Sequence, residues 1–205
     1  MSLFEDTYIT IESKAEGNFR DRGSKFLAFA FPVSNEEEVK EKLAELRKEY
    51  HDARHHCYAY RLGHDKSAWR INDDGEPSGT AGRPIYGQLL SNDLTNVLVV
   101  VVRYFGGTKL GVSGLINAYK TATADALSNA TVIEKTVNER YNIQFEYPVM
   151  NEVMRLLKEF DANQRSQQFD LSCSLEFGIR KSSGDALIAA LQKVKGLKLT
   201  FIGLE

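Results

Sequence analysis

Residues 96–111 read Asn96-Val97-Leu98-Val99-Val100-Val101-Val102-Arg103-Tyr104-Phe105-Gly106-Gly107-Thr108-Lys109-Leu110-Gly111 and join an apolar run to a glycine-rich turn. The apolar run has the length of a β-strand and is rich in β-branched side chains. Because no polar residue alternates within it, both of its faces must be covered, which predicts a central strand.

The segment after the turn repeats apolar residues at helical spacing, which predicts a helix that ends near Asn129. Its expected buried face comprises Val112, Leu115, Ile116, Tyr119, Ala122, Ala126, Leu127 and Ala130. The free N–H groups and the positive dipole end of a helix N-terminus attract anions, and Arg103 and Lys109 flank this one. The glycine spacing matches neither a P-loop nor a dinucleotide-binding turn, so the turn is compatible with a phosphate group without indicating a nucleotide enzyme.

The size and composition of the chain favour a two-domain globular protein. Its 205 residues are comfortable for two small domains, and the net charge of −2 gives no global attraction to nucleic acid. The 2 cysteines lie far apart, which fits a reducing cytoplasm and no disulfide framework. No apolar stretch has the length of a membrane span, so no membrane partner is expected.

The segment from Ala53 to Leu62 is predicted to be a strand in which alternate residues share a face. His56, Tyr58, Tyr60 and Leu62 then point to one side of the sheet, and His55 and Cys57 point to the other. A metal site built from His51, His55, His56 and Cys57 is disfavoured, because this alternation separates the two adjacent histidines.

Residues 72–84 form a loop with three acids, three glycines and two prolines. One interpretation is a turn followed by a helix that Ser78 or Thr80 caps. The other is a rigid loop whose glycines let backbone amides approach a ligand. We expect this loop and the turn after Arg103 to lie together in one cleft, with Asp74 or Glu76 as the carboxylate partner of Arg103.

The last third of the chain repeats a strand–helix–strand order twice, which is the ferredoxin-like order. The predicted elements are strand 141–147, helix 148–160, strands 167–169 and 171–179, helix 183–194 and strand 197–202. The boundary is placed near residue 137, giving domains 1–137 and 138–205, and the fold class is α+β.

Three motifs resemble the IMPACT/YigZ family: Asp74-Gly75-Glu76-Pro77-Ser78-Gly79-Thr80-Ala81-Gly82, the run from Val97 to Gly111, and the upstream His56…Ala59-Tyr60-Arg61. The chain departs from the usual sequence pattern of the family after Gly111, where it reads Val-Ser-Gly, and at Asn117, where an arginine is expected. The resemblance implies an N-terminal domain like domain 2 of ribosomal protein S5, related to domain IV of elongation factor G. It implies a C-terminal ferredoxin-like domain resembling domain V of that factor.

For function, the resemblance implies a binding or regulatory protein in translation, because eukaryotic relatives act in translational control through the ribosome-associated activator of the amino-acid starvation kinase. The expected partners are RNA or the ribosome, or a translation-related protein, in the cytoplasm. The alternative is a small peptidase-like hydrolase using the loop from Asp74 to Gly82, although no Gly-x-Ser-x-Gly motif supports it. No cofactor, metal or catalytic residue is predicted.

The predicted ligand-binding residues come from the loop, the turn and the strand before the loop. They are His56, Arg61, Asp74, Glu76, Ser78, Gly79, Thr80, Arg83, Arg103, Tyr104, Gly106, Gly107 and Lys109. Five interleaved aromatic residues can either stack on unpaired bases or fill the core: Tyr58, Tyr60, Trp69, Tyr104 and Phe105.

Overall fold

The computed structural model describes residues 6–169 and 172–204, which divide into two compact units. The N-terminal unit spans Tyr8–Lys135. The other unit contains Asp6 and Thr7 together with the described residues from Thr136 onward. No helix within the described ranges is long and apolar enough to cross a membrane.

The N-terminal unit is built on a five-stranded antiparallel sheet in the order β2-β3-β6-β4-β5. The central strand of this sheet is the apolar run Val97–Tyr104, as predicted. Strands β1 and β7 pair in a separate two-stranded sheet. The elements of this part of the chain are β1 (Thr7–Ile11), β2 (Ala15–Asp21), β3 (Ser24–Pro32), α1 (Glu36–Glu49), β4 (His55–Leu62), β5 (Ala68–Asn72), α2 (Gly82–Ser91), β6 (Val97–Tyr104), α3 (Gly111–Ser128) and β7 (Val132–Thr136).

Helices cover both faces of this sheet, which explains the unbroken apolar character of β6. Leu98, Val100 and Val102 lie in the cluster that packs against α1. Val97, Val99 and Val101 lie in the cluster that packs against α2 and α3. The predicted alternation of β4 is also confirmed, since Tyr58 and Tyr60 pack on the α1 side while Cys57 packs on the opposite side.

The exposed face of α3 corrects the predicted helix stripe. Val112 is 60% exposed and Ile116 is 39% exposed, although both were expected to be buried. Val112 lies in the first turn of α3, next to the exposed residues 105–109, and Ile116 follows the buried Leu115 by one position, which turns its side chain about 100° away from the buried face. The sheet therefore covers a narrower stripe of α3 than the apolar pattern alone predicts.

The second unit is a four-stranded antiparallel sheet in the order β11-β8-β10-β9, with two helices on one face. Arg180 ties Asp6 to this unit, with the Arg180 Nε atom 2.6 Å from Asp6 Oδ2. The predicted strand at 171–179 begins instead at Cys173, and residue 171 lies outside the described residues. The elements are β8 (Asn138–Phe145), a 3-10 turn (Tyr147–Val149), α4 (Met150–Glu159), β9 (Asn163–Phe169), β10 (Cys173–Arg180), α5 (Lys181–Leu191) and β11 (Lys198–Leu204).

Candidate functional site

A buried ion pair joins the loop after β5 to the strand before the glycine turn. The Arg103 Nη1 group donates to Glu76 Oε1 at 2.5 Å, and the Tyr119 hydroxyl donates to the same oxygen at 2.8 Å. Both charged side chains are almost fully excluded from water. This contact confirms that the two glycine-rich segments meet and identifies Glu76 as the carboxylate partner of Arg103.

A buried thiol, that of Cys57, lies next to the Tyr119 hydroxyl that donates to this ion pair. The Sγ atom of Cys57 lies 3.3 Å from the Tyr119 hydroxyl and 3.0 Å from the carbonyl oxygen of Asp73. Burial raises the pKa of the Cys57 thiol and also that of the Tyr119 hydroxyl. Because the thiolate is the reactive form, Cys57 is a packed, protonated thiol and not a nucleophile.

Asp73 closes the loop on itself and caps α2. Its Oδ2 atom accepts the backbone N–H of Gly79 at 2.8 Å, and its Oδ1 atom accepts those of Ala81 at 3.1 Å and Gly82 at 2.8 Å. Burial raises the pKa of this carboxyl, but the hydrogen bonds from these amides, with the charge of Arg83, lower it overall. The N-terminus of α2 is therefore already occupied by a carboxylate of the chain itself.

This arrangement corrects the predicted cap of α2. The N-cap position is Ala81, and neither Ser78 nor Thr80 caps the helix. Thr80 is buried and its hydroxyl donates to the carbonyl of Pro77 at 2.6 Å, while Ser78 is exposed. Asp73 reaches the helix from outside the local sequence window in which caps are normally sought.

Asp74 connects the loop to β4 and α1. Its Oδ2 atom accepts the backbone N–H of His56 at 2.7 Å, and its Oδ1 atom accepts from Arg47 at 3.2 Å. The ring nitrogen Nδ1 of His55 lies 2.9 Å from the Asp74 carbonyl oxygen. Burial lowers the pKa of His56, and the charge of Asp74 only partly offsets this effect. His56 is therefore a neutral, packed imidazole at pH 7.

The glycine turn between β6 and α3 is the exposed part of the site. Gly106, Gly107 and Lys109 are exposed, and Phe105 is 55% exposed. Within the described chain, α3 has no acidic residue in its first turn, and its N-cap residue Leu110 makes no side-chain hydrogen bond to it. The backbone N–H groups at the start of α3 therefore lack the carboxylate that Asp73 supplies to α2.

Four of the predicted residues lie apart from the Glu76–Arg103 pair. His56 pairs with Val102, whose side chain is on the α1 side of the sheet, and the Asp74 carboxylate turns to the same side, toward Arg47. Arg61 pairs with Val97, at the opposite end of β6 from Arg103, and its Nη1 atom lies 3.4 Å from Asp93 Oδ1. Tyr104 points to the α1 side, where its hydroxyl donates to Asp52 Oδ1 at 2.7 Å. The predicted set thus divides into a loop–turn group and these four residues, whose side chains do not join the pair.

The five aromatic residues also divide. Tyr58 and Tyr60 are buried and stacked in the core, with ring centroids 6.4 Å apart. Trp69 is exposed and stacks on Tyr86 of α2 at 5.1 Å. Phe105 is the exposed aromatic residue of the glycine turn.

Sequence reasoning missed three residues that hold the site together: Tyr119, Asp73 in its capping role and Arg47. Tyr119 was assigned to the apolar stripe of α3, where it does lie, but its hydroxyl is also the second donor to Glu76. A tyrosine in an otherwise aliphatic and alanine-rich stripe was the available signal, since a buried hydroxyl needs a partner.

The fold and the site define a two-unit α/β protein whose N-terminal unit carries a glycine-rich loop and turn joined by a buried ion pair. The family described as the Impact N-terminal domain matches residues 22–127, the part of the chain that contains this site. The chain belongs to the IMPACT family.

Two relatives match most of the chain. The present chain is 34% identical over 153 residues to the IMPACT family member YvyE of Bacillus subtilis, and the match covers 75% of this chain and 70% of that protein. It is 37% identical over 140 residues to the IMPACT family member YigZ of Escherichia coli, covering 67% of this chain and 69% of that protein.

One solved structure matches nearly the whole chain. It is the crystal structure of a hypothetical protein with a TM-score of 0.74 and 28% sequence identity, covering 97% of this chain and 98% of that one. The likeness therefore extends through both units.

Proposed function

We propose that this chain is a binding protein that acts in translation-related regulation, and that its N-terminal unit contacts RNA. Membership of the IMPACT family supports the translational context. The observation that carries RNA contact is the glycine turn, which presents an exposed aromatic ring and an exposed lysine in front of a helix start without a carboxylate. Aromatic stacking and positive charge are the two elements of single-strand binding.

The cations of the site separate into two groups with different roles. Arg103 is buried in its ion pair with Glu76, so its charge is not available to a ligand. Arg83 and Lys109 are exposed and make no salt bridge within residues 6–169 and 172–204. We assign the phosphate contacts to these exposed side chains.

The finer fold assignment is also a proposal. The order of elements in the second unit (β8, α4, β9, β10, α5, β11) supports a ferredoxin-like domain similar to domain V of elongation factor G. Helices on both faces of a β6-centred sheet are compatible with a domain like domain 2 of ribosomal protein S5. We also propose the division into domains 1–137 and 138–205. Because translation takes place in the cytoplasm, we propose a cytoplasmic localisation.

The geometry gives the hydrolase alternative no support. The oxygens of Asp73 and Asp74 accept backbone and arginine N–H groups, and Ser78 is exposed. No group of three His, Cys, Asp or Glu side chains that could hold a metal ion occurs in the described residues. Nucleophilic catalysis requires a nucleophile and a base within hydrogen-bond reach, and the loop presents no such pair among the residues described.

A second partner of a different class has one observation in its favour. Trp69, Tyr86 and Leu90 lie together on the outer side of β5 and α2, with Trp69 and Leu90 exposed and the two rings stacked. Aromatic side chains are enriched in protein interfaces, so this surface fits a translation-related protein partner.

The test of RNA contact is a fluorescence titration of the full chain with labelled single-stranded RNA at several salt concentrations. Each phosphate contact contributes about 0.7 to the slope of log affinity against log salt for a single strand. Lys109→Ala and Arg83→Ala are each expected to reduce the slope by about that amount. Lys40→Gln, on the exposed side of α1, is the control and should leave it unchanged. Wild-type binding that is undetectable at low salt would refute the proposal.

A further inference from the structure

The tip of the β2–β3 hairpin lies directly against the glycine turn. A Cβ atom on Gly106 would lie 1.9 Å from the carbonyl carbon of Gly23, so only glycine allows the two backbones to approach this closely. The Gly106 N–H group also donates to the Ser24 hydroxyl at 3.1 Å. The hairpin tip and the turn that carries Phe105 and Lys109 therefore form one continuous surface.

Three exposed cations crowd the hairpin tip: Arg20, Arg22 and Lys25. Arg20 and Lys25 are directly opposite each other across the two strands, and neither makes a salt bridge within the described residues. Like charges at directly opposed positions destabilise an antiparallel pair. The one carboxylate of the tip, Asp21, lies 3.9 Å from the Arg22 Nε atom.

Arg22 adds a second unfavourable feature at the same place. Its φ is 45° and that of Gly23 is 80°, so both central residues of the turn are left-handed. A two-residue hairpin turn of this type strongly prefers asparagine or glycine at its first central position. An arginine there costs stability relative to those residues, and it places a cation in the exposed turn of the hairpin.

We propose that Arg20, Arg22 and Lys25 are phosphate contacts of the RNA surface, which extends across the hairpin tip from the glycine turn. This inference rests on the proposed function and names a part of the site that the family motifs do not include. The ligand is a single strand whose bases stack on Phe105 while its backbone passes between the hairpin tip and Lys109. A positively charged groove that follows the backbone needs several cations, and Arg83 and Lys109 alone supply only two.

The structure explains why RNA is favoured over an acidic protein segment. Phe105 is exposed and directly follows Tyr104, which pairs with Lys25 of the hairpin, and the Arg103 guanidinium lies 5.7 Å from its ring centroid. An aromatic ring next to a guanidinium, on a surface that also carries exposed cations, provides both the stacking and the charge that a single strand needs. An acidic peptide would use the charges but would not require the ring.

The experiment uses the full chain and an oligouridine of about twelve nucleotides, within the usual single-strand site size. Lys25→Thr and Arg22→Gly are each expected to lower the salt slope by about 0.7, and Phe105→Ala to weaken binding without changing the slope. Lys40→Gln is the charge-matched control. Thermal unfolding of Lys25→Thr and Arg22→Gly is expected at or above the wild-type temperature, since one removes a like-charge pair and the other a left-handed arginine.

The outcomes separate this inference from the proposed function. Wild-type binding with unchanged slopes in both hairpin variants would overturn the inference and leave RNA contact at the turn standing. Absence of wild-type binding would overturn both. Displacement of the RNA by a polyglutamate peptide of equal charge, at equal concentration, would overturn the assignment to RNA in favour of an acidic protein segment.

Discussion

Removing the carboxylate of Glu76 leaves the guanidinium of Arg103 buried without its partner. Only 7% of the Arg103 side chain is exposed, so water cannot replace the lost contact. Breaking a buried pair by removing one partner typically costs about 3–5 kcal/mol, much of it from the charge left behind. We expect Glu76→Gln, which preserves the side-chain shape, to lower the free energy of unfolding of the N-terminal unit by that amount.

Urea unfolding followed by the fluorescence of Trp69 reports the free energy of unfolding of the N-terminal unit, where Glu76 and Arg103 lie. Trp69 is the single tryptophan of the chain, and its ring stacks on Tyr86, so unfolding of the N-terminal unit separates the two rings. Glu41→Gln, on the exposed side of α1, is the control and is expected to change stability by less than about 0.5 kcal/mol.

A double variant tests whether the cost comes from the unpaired charge. Glu76→Gln combined with Arg103→Met is expected to be less destabilised than the sum of the single changes, by up to about 3 kcal/mol of coupling. A Glu76→Gln protein within about 0.5 kcal/mol of wild type, or strictly additive costs, would refute the reasoning from burial.

Two further predictions concern the packing of the site. Burial lowers the pKa of His56 below its ordinary value of 6.5, so the unfolded chain binds a proton at this imidazole more readily than the folded chain does. The free energy of unfolding should therefore fall as the pH drops below about 6.5. Urea unfolding between pH 7 and 5 should show a smaller fall in His56→Gln than in wild type. An equal fall in stability in wild type and His56→Gln over this range would contradict it. Gly106→Ala places a methyl group against the backbone of Gly23 and is expected to cost at least about 1–3 kcal/mol, whereas Gly87→Ala on α2, where a Cβ meets nothing within 4 Å, should stabilise by up to about 1 kcal/mol. Equal unfolding midpoints for the two alanine variants would show that the close approach is not required.

The sequence predicted the central strand and its ion pair because burial on both sheet faces leaves a clear pattern. An apolar run without alternation has few structural interpretations, and an arginine at its end needs a carboxylate. The choice of Glu76 over Asp74 was not predictable, because it depends on which side chain the loop directs inward. Asp74 instead turns toward His56 and Arg47 on the other side of the sheet.

The outer strands and the exposed face of α3 were not predictable for a different reason. The strand Ala15–Asp21 is polar at alternate positions with a glycine in the middle, so its intrinsic β-signal is weak. Its place in the sheet comes from the turn at Arg22 and Gly23 and from its close contact with α3. The exposure of Val112 and Ile116 depends on which part of α3 the sheet covers, and the periodicity of the α3 sequence does not contain that information.

The two glycine-rich segments therefore have a buried side and an exposed side with separate functions. A buried ion pair is weak support for stability, because desolvation offsets much of the attraction, but it fixes which segments lie together. Glu76 and Arg103 hold the loop against the strand, and this contact sets where the turn leaves the sheet. Changes at the buried pair should alter RNA binding only as far as they unfold the unit. Changes at Lys109 or Lys25 should alter binding without loss of stability, and this difference separates the structural residues of the site from those that contact the ligand.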